Sequence, residues 1–271
     1  MRIERRWPRL PGLLVPLLLA VVISGGFAPA ALAQADADEL AKKLSNPVSS
    51  LISVPFQLNW DTGIGPQNED QFLLNIQPVI PIRLTEKWSL IQRVIVPVID
   101  APYGAGSGLG DVTFQSFFSP DPKPGGAIWG VGPVIVAPTA TKDRLGTEKW
   151  SGGPAFVILQ QQGPWTYGIL AINAWSFAGD DDRADVNYGF FQPVLTRGLG
   201  KGVTLSGNLE AVAQWDADEV WTVPINLAVS KVIRIGSQMA SVGGGPRFYL
   251  ERPYGGPDWG LRFAFTLMFP K

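Results

Sequence analysis

Side chains that perform chemistry are thinly spread in this sequence, and two of the most useful kinds are missing. The 271 residues include no Cys and no His. Without Cys there is no thiolate nucleophile, no thiolate metal site, no disulfide framework and no lipid-anchored Cys. Without His there is no Ser-His hydrolase and no imidazole ligand. Three groupings remain. The run Gly104 to Gly110 (GAGSGLG) has the glycine density of a phosphate cradle. It lies between two β-type segments and opens no helix, so it reads as a flexible loop. Asp180, Asp181, Asp182 and Asp185 offer oxygen ligands to a divalent cation, although acidic loops are ordinary surface and the solvated reading is favoured. Glycosidase chemistry needs two carboxylates in one cleft, and no pair stands out. No enzyme, metal or cofactor is expected.

The other polar residues belong to a pattern. Along 259–269, Trp259, Leu261, Phe263, Phe265, Leu267 and Phe269 take one face, while Arg262 and Thr266 take the other. Val203, Leu205, Leu209 and Trp215 oppose Thr204, Ser206, Asn208 and Glu210, and Trp165 to Phe177 alternates in the same way. A period of two marks a strand with one buried face. These segments are about double the usual strand length. Tilted strands of about 9–11 residues that are apolar outside, polar inside and aromatic at both ends suit a bilayer. An open edge there would leave backbone groups unpaired, so the sheet must close. The expectation is an all-β, closed antiparallel transmembrane β-barrel. Its twelve strands run at about 49–60, 71–83, 88–98, 110–118, 127–138, 151–161, 165–177, 186–196, 203–215, 220–230, 238–250 and 258–269. Links thin out late in the chain, and ten or fourteen strands stay open as alternatives. Longer polar links alternate with short turns, as outer loops do with periplasmic turns.

By the same alternation the lumen carries Asn75, Gln77, Arg83, Arg93, Asp111, Gln115, Asn208, Glu210, Asn226, Arg247 and Arg262. Charges of both signs inside a barrel either brace the wall by pairing or line a solute path. Ile91, Ile95, Val134, Val136, Leu170, Ile172 and Phe191 share that face, which is too apolar for a general water-filled pore. Eight prolines (78, 81, 97, 133, 154, 193, 224 and 246) fall inside the proposed strands. Each deletes a ladder hydrogen bond, and they are the main argument for a soluble β-sandwich.

The start of the chain reads as an address. Arg2, Arg5, Arg6 and Arg9 precede an apolar run from Gly12 to Ile23, and Ala31-Leu32-Ala33 gives a small-residue cleavage pattern. The division is then a signal peptide at 1–33, a short helical segment at 34–47 and a barrel at 48–271. The helix itself is expected over Asp36 to Leu44. Beyond residue 33 acidic groups outnumber basic ones, which excludes nucleic acid as a partner.

Several strings are more specific. GLGD (108–111), FFSP (117–120), WGVGP (129–133), LGTEKW (145–150), GPWTYG (163–168) and RPYGGPDW (252–259) resemble the bacterial outer-membrane family catalogued under the MetA pathway of phenol degradation. Its members are described as transporters or carry the misleading name neuromedin U. The resemblance runs from Leu44 to Lys271. It implies an outer-membrane barrel whose partners are membrane lipid and the barrel-assembly machinery, and a link to passage of small hydrophobic or aromatic solutes. No set of binding residues comes with it. Many such barrels end on a terminal aromatic, whereas Phe269 here is followed by Pro270-Lys271. The alternative is a structural or adhesive barrel whose lumen is occluded and whose loops bind partners.

Overall fold

A computed structural model describes residues 30–270 apart from 124 and 219. Fifteen antiparallel segments follow one helix, α1 (Ala30–Leu44). They are β1 (Ile52–Ile64), β2 (Glu69–Ile76), β3 (Val79–Arg83), β4 (Trp88–Ala101), β5 (Gly106–Leu109), β6 (Val112–Pro120), β7 (Ile128–Ala137) and β8 (Lys149–Gln162). There follow β9 (Trp165–Gly179), β10 (Asn187–Gly200), β11 (Val203–Leu209), β12 (Ala211–Gln214), β13 (Trp221–Ile235), β14 (Gln238–Glu251) and β15 (Trp259–Phe269). The pairs β2/β3, β5/β6 and β11/β12 each form one broken stave, which leaves twelve staves in sequential order. The first and last join, with Phe56 opposite Phe265 and Asn59 opposite Arg262. The sheet is therefore a closed twelve-stranded barrel, as the alternation requires. The expected leader lies outside the described residues except for 30–33, which are the first residues of α1.

The two faces differ because each meets a different environment. Outward residues are large, apolar and exposed, among them Phe118, Phe156, Ile158, Leu195, Leu227 and Phe263. Tryptophans mark both rims. Trp88, Trp129 and Trp165 lie near the short-turn end, and Trp60, Trp150, Trp175, Trp215, Trp221 and Trp259 near the loop end. Neighbouring rings meet edge-on or tilted, as in Trp88–Trp129 and Trp215–Trp221, both 5.9 Å between centroids. Inward residues are buried, including polar Asn59, Gln115, Thr166, Asn226 and Arg262.

The in-strand prolines fit this closed sheet. Pro133 and Pro154 stand opposite one another across β7 and β8. On its other side each faces a gap in the ladder, at Ser116–Phe117 of β6 and Asn173–Ala174 of β9. Pro246 faces a similar gap at Leu227–Ala228 of β13. The residue numbering stays in step across each gap, so the missing N–H removes bonds without slipping the register. In all three cases glycine precedes the proline. A Cβ on Gly132, Gly153 or Gly245 would collide with the carbonyl oxygen of Ser116, Asn173 or Leu227, the residue opposite the proline. That carbonyl has lost its donor and rests against the glycine Cα, where only glycine leaves room. Pro97 faces the break between β5 and β6, Pro78 sits in the break between β2 and β3, and Pro81 lies past the reach of β1. Pro193 and Pro224 flank Glu210, where β11 gives way to β12.

The two ends are built differently. Gly163-Pro164, Lys201-Gly202 and Gly236-Ser237 turn tightly at one end, and α1 packs there. Leu40, Ala41 and Leu51 bury with Val232 and Met268, Asp38 accepts the Gly202 amide proton at 2.5 Å, and the Gln161 amide donates to the Lys42 carbonyl. At the other end the 138–148 loop folds onto the glycine run. Thr141 and Thr139 accept protons from the Leu109 and Val112 amides. Gly108 and Gly110 have no room for a Cβ against Thr141, Leu145 and Pro97. The GAGSGLG segment is thus a strand and a seat for the longest loop rather than a flexible one, because its glycines admit close approach. Asp180 caps its own turn by accepting the Asp182 amide proton.

Candidate functional site in the barrel lumen

Two walls of unlike character face each other across the lumen. Along β4 and β6 to β9 the inward residues form one apolar cluster that includes Ile91, Phe117, Val134, Val157, Leu170 and Ile172. From β10 round to β15 and β1 the wall is polar. Its centre is Glu210, which accepts a fork from Arg262 (Nη1 to Oε1 2.8 Å, Nη2 to Oε2 2.7 Å) and a third bond from Arg247 at 2.8 Å. Gln192 donates a longer bond at 3.3 Å.

The arginines are held in turn. Arg262 Nε donates to Asn59 at 2.8 Å, and Arg247 donates to Asn226 at 2.9 Å and to the Tyr249 hydroxyl at 3.0 Å. Arg247 also lies 3.1 Å from Asp61. Asn226 donates to Asn208 at 2.8 Å. Two guanidinium groups and two carboxylates therefore balance within one network drawn from β1 and β10 to β15. Planar forks of this kind give charge-assisted bonds with fixed geometry. Truncating one member strands its partner in a buried setting.

Between this network and the N-terminal segment lies a cavity of about 340 Å³. Its floor is Lys43 to Pro47, its polar side includes Asn208, Asn226 and Arg262, and its apolar side includes Val79, Val157, Leu170 and Val194. Arg93 and Gln77 also line it, and the Arg93 guanidinium donates to the Gln77 carbonyl oxygen.

Asn208, Glu210, Asn226, Arg247 and Arg262 are brought into one network, and Gln77 and Arg93 face it across the cavity. Asn75 pairs with Gln57 on the inward face, and Gln115 is buried beside Arg93 in the register. Arg83 is a correction. Its parity is inward, but it sits at the last position of β3, half exposed, and forks onto Asp121 of the next turn at 2.5 and 2.6 Å. That pairing holds the Asp121 carboxyl below the usual carboxylate range. Asp111 also leaves the lumen set. It lies between β5 and β6 and accepts from the Ala140 amide and from the Thr147 amide and hydroxyl, tying down the 138–148 loop. Phe191 points outward against Trp215 and Trp221, and Phe190 takes the inward position beside the apolar cluster.

Sequence reasoning missed Asn59, Asp61 and Gln192. The signal for the first two was present, since Ser53, Gln57, Asn59 and Asp61 alternate with Val54, Phe56, Leu58 and Trp60. At the loop rim, Lys149 is buried and reaches Asp185 at 3.3 Å. The Ser176 hydroxyl, and then this ammonium, hold the Asp185 carboxyl below its ordinary range.

No protein-family model and no curated protein sequence matches the chain. Among solved structures, an outer membrane channel from Pseudomonas putida F1 superposes with a TM-score of 0.62 at 17% identity. The match covers 83% of this chain and 97% of the other. Outer membrane phospholipase A from Escherichia coli gives 0.46 at 10% identity, over 87% and 98% of the two chains. The beta domain of the Bordetella autotransporter BrkA gives 0.39 at 13% identity, over 82% and 100%. At these identities only the first match carries weight, and what it establishes is a shared barrel architecture.

Proposed function

We propose that this barrel resides in a bacterial outer membrane and gives passive passage to small hydrophobic or aromatic solutes. The observation that carries the reading is the cavity of about 340 Å³ whose wall is apolar on one side and amide-rich on the other. A general water-filled pore has no use for Ile91, Phe117, Val157 and Leu170 on its inner surface, and a solute with an apolar body does. The outward belt of exposed Phe, Leu and Trp supports placement in lipid, where a closed sheet leaves no open edge of unpaired backbone. The absence of His and Cys argues against a hydrolase built on either. The motifs resembling the MetA-pathway family point to the same solute class.

Reconstituted vesicles test the passage. The rate of phenol entry above that of protein-free vesicles is expected to exceed the same increment for glycerol, a polar solute of similar mass, and no protein-dependent phenol entry would end the reading. A structural or adhesive barrel is the second reading, favoured by the Arg262–Glu210–Arg247 network across the lumen and by α1 at one mouth. It requires that the barrel speed the entry of neither solute and that loop substitutions abolish partner binding. Placement itself is checked by heat-modifiable migration and outer-membrane fractionation.

A further inference from the structure

The charges lining the lumen cavity do not cancel. Its wall carries three cations, Lys43, Arg93 and Arg262, and no carboxylate. Lys43 is paired with Glu39 at 2.7 Å on the surface of α1. Arg262 is forked onto Glu210. Arg93 has a neutral partner, the carbonyl oxygen of Gln77. Among the described residues no carboxylate lies within ion-pair distance of it. Glu210 attracts it at longer range, but the Glu210 oxygens are occupied by Arg262, Arg247 and Gln192.

A guanidinium part-buried in the lumen wall beside an amide keeps most of its five donors for something else. A buried cation is costly until an anion or a set of acceptors meets it. The surroundings say what kind of anion fits. Val157 and Leu170 face each other in the register of β8 and β9 on the apolar wall, and Val79 stands directly beside Arg93 on β3. A ligand lying here places a planar carboxylate against the guanidinium fork and an apolar body against these side chains. The volume sits at the low end of the 300–1,000 Å³ typical of small-molecule sites, which suits one ring rather than a chain.

We infer that Arg93, with Gln77 beside it, is the recognition point of an anion subsite in the lumen, and that the solute class is small aromatic or short apolar monocarboxylates. This rests on the passage reading and narrows it from hydrophobic solutes in general to amphipathic anions. Arg83 is not part of the subsite, since Asp121 occupies it at the rim.

The test compares benzoate with benzyl alcohol, which has the same ring and no charge. Equilibrium dialysis of the labelled compounds against the detergent-purified barrel, corrected with protein-free micelles, gives both affinities. The wild type is expected to hold benzoate about tenfold or more tightly than benzyl alcohol, the scale of one charge-assisted fork. R93Q, shown to be folded by its gel shift, should lose that preference, and R93K should keep part of it. Wild-type protein with no preference for benzoate overturns the inference without needing any variant. So does a folded R93Q that binds benzoate as before. Vesicle uptake separates this result from the broader reading. Entry of phenol and benzyl alcohol faster than into protein-free vesicles, without an Arg93-dependent benzoate effect, removes the subsite and leaves the passage. Arg93-dependent binding with no protein-dependent entry of any solute removes the passage and leaves the subsite.

Discussion

At the scale of single residues, the lumen is governed by how its charges are matched. Glu210 accepts from three donors besides Gln192, and each arginine it holds is anchored by a neighbouring amide. Glu210→Gln keeps the shape but leaves two buried guanidinium groups with one carboxylate, Asp61, between them. Breaking a buried pair in this way costs about 3–5 kcal/mol. The variant should therefore lose its heat-modifiable gel shift at a clearly lower temperature than wild type. Arg83→Ala should barely move that temperature, because its pair with Asp121 is exposed at the rim. A second test lies in the Asp185 carboxyl, which Ser176 and Lys149 hold below its usual value. A depressed folded value means that the tether on the 180–186 loop is complete above the ordinary aspartate range and is lost as pH falls through the folded value. Hydrogen exchange of those amides, corrected for intrinsic rates, should accelerate in that acidic window and not between pH 5 and 8. Asp185→Asn should show the faster exchange already at neutral pH. Alternation in the sequence identified Arg247, Arg262 and Glu210 as inward because a side chain's face follows from its parity alone. It misplaced Arg83 because parity says nothing about height along the barrel. It misplaced Phe191 because Phe190 and Phe191 are adjacent rings and only packing against Trp215 and Trp221 decides between them.

At the scale of elements, the strands owe their length and register to alternation, and their local breaks to proline. The strand count was legible because apolar and polar faces alternate over spans long enough to fix the phase. The prolines were opaque, since their cost depends on which neighbour is deprived of a donor. In the closed sheet that neighbour's carbonyl rests on a glycine, at Gly132, Gly153 and Gly245. Gly132→Ala and Gly245→Ala should each weaken the barrel by about 1–3 kcal/mol, because backbone must move to admit one methyl group. Gly198→Ala is the control, as a Cβ there meets no atom closer than 3.7 Å. Unfolding in urea from detergent micelles gives both numbers. Equal effects at Gly198 and Gly132 would dismiss the steric account.

At the scale of the whole molecule, α1 and the polar network bound the cavity at its two ends. The helix is held by a small apolar patch, by the Asp38–Gly202 bond and by the Gln161–Lys42 bond. Deleting residues 36–44 should leave the barrel foldable and raise its single-channel conductance. Unchanged conductance would place the limiting constriction at the arginine network instead. The network has another consequence, which concerns time. Arg262 meets Asn59 across 203 positions of sequence and meets Glu210 across 52. The bonds to Glu210 wait for the last strand to be delivered, and the bond to Asn59 waits further, until that strand has zipped against the first. A chain arrested before β15 would hold Glu210 with Arg247 and Gln192 only and would leave Asn59 facing an open seam. The innermost charges thus come to rest last, so a fully matched interior exists only in a molecule whose assembly has been completed.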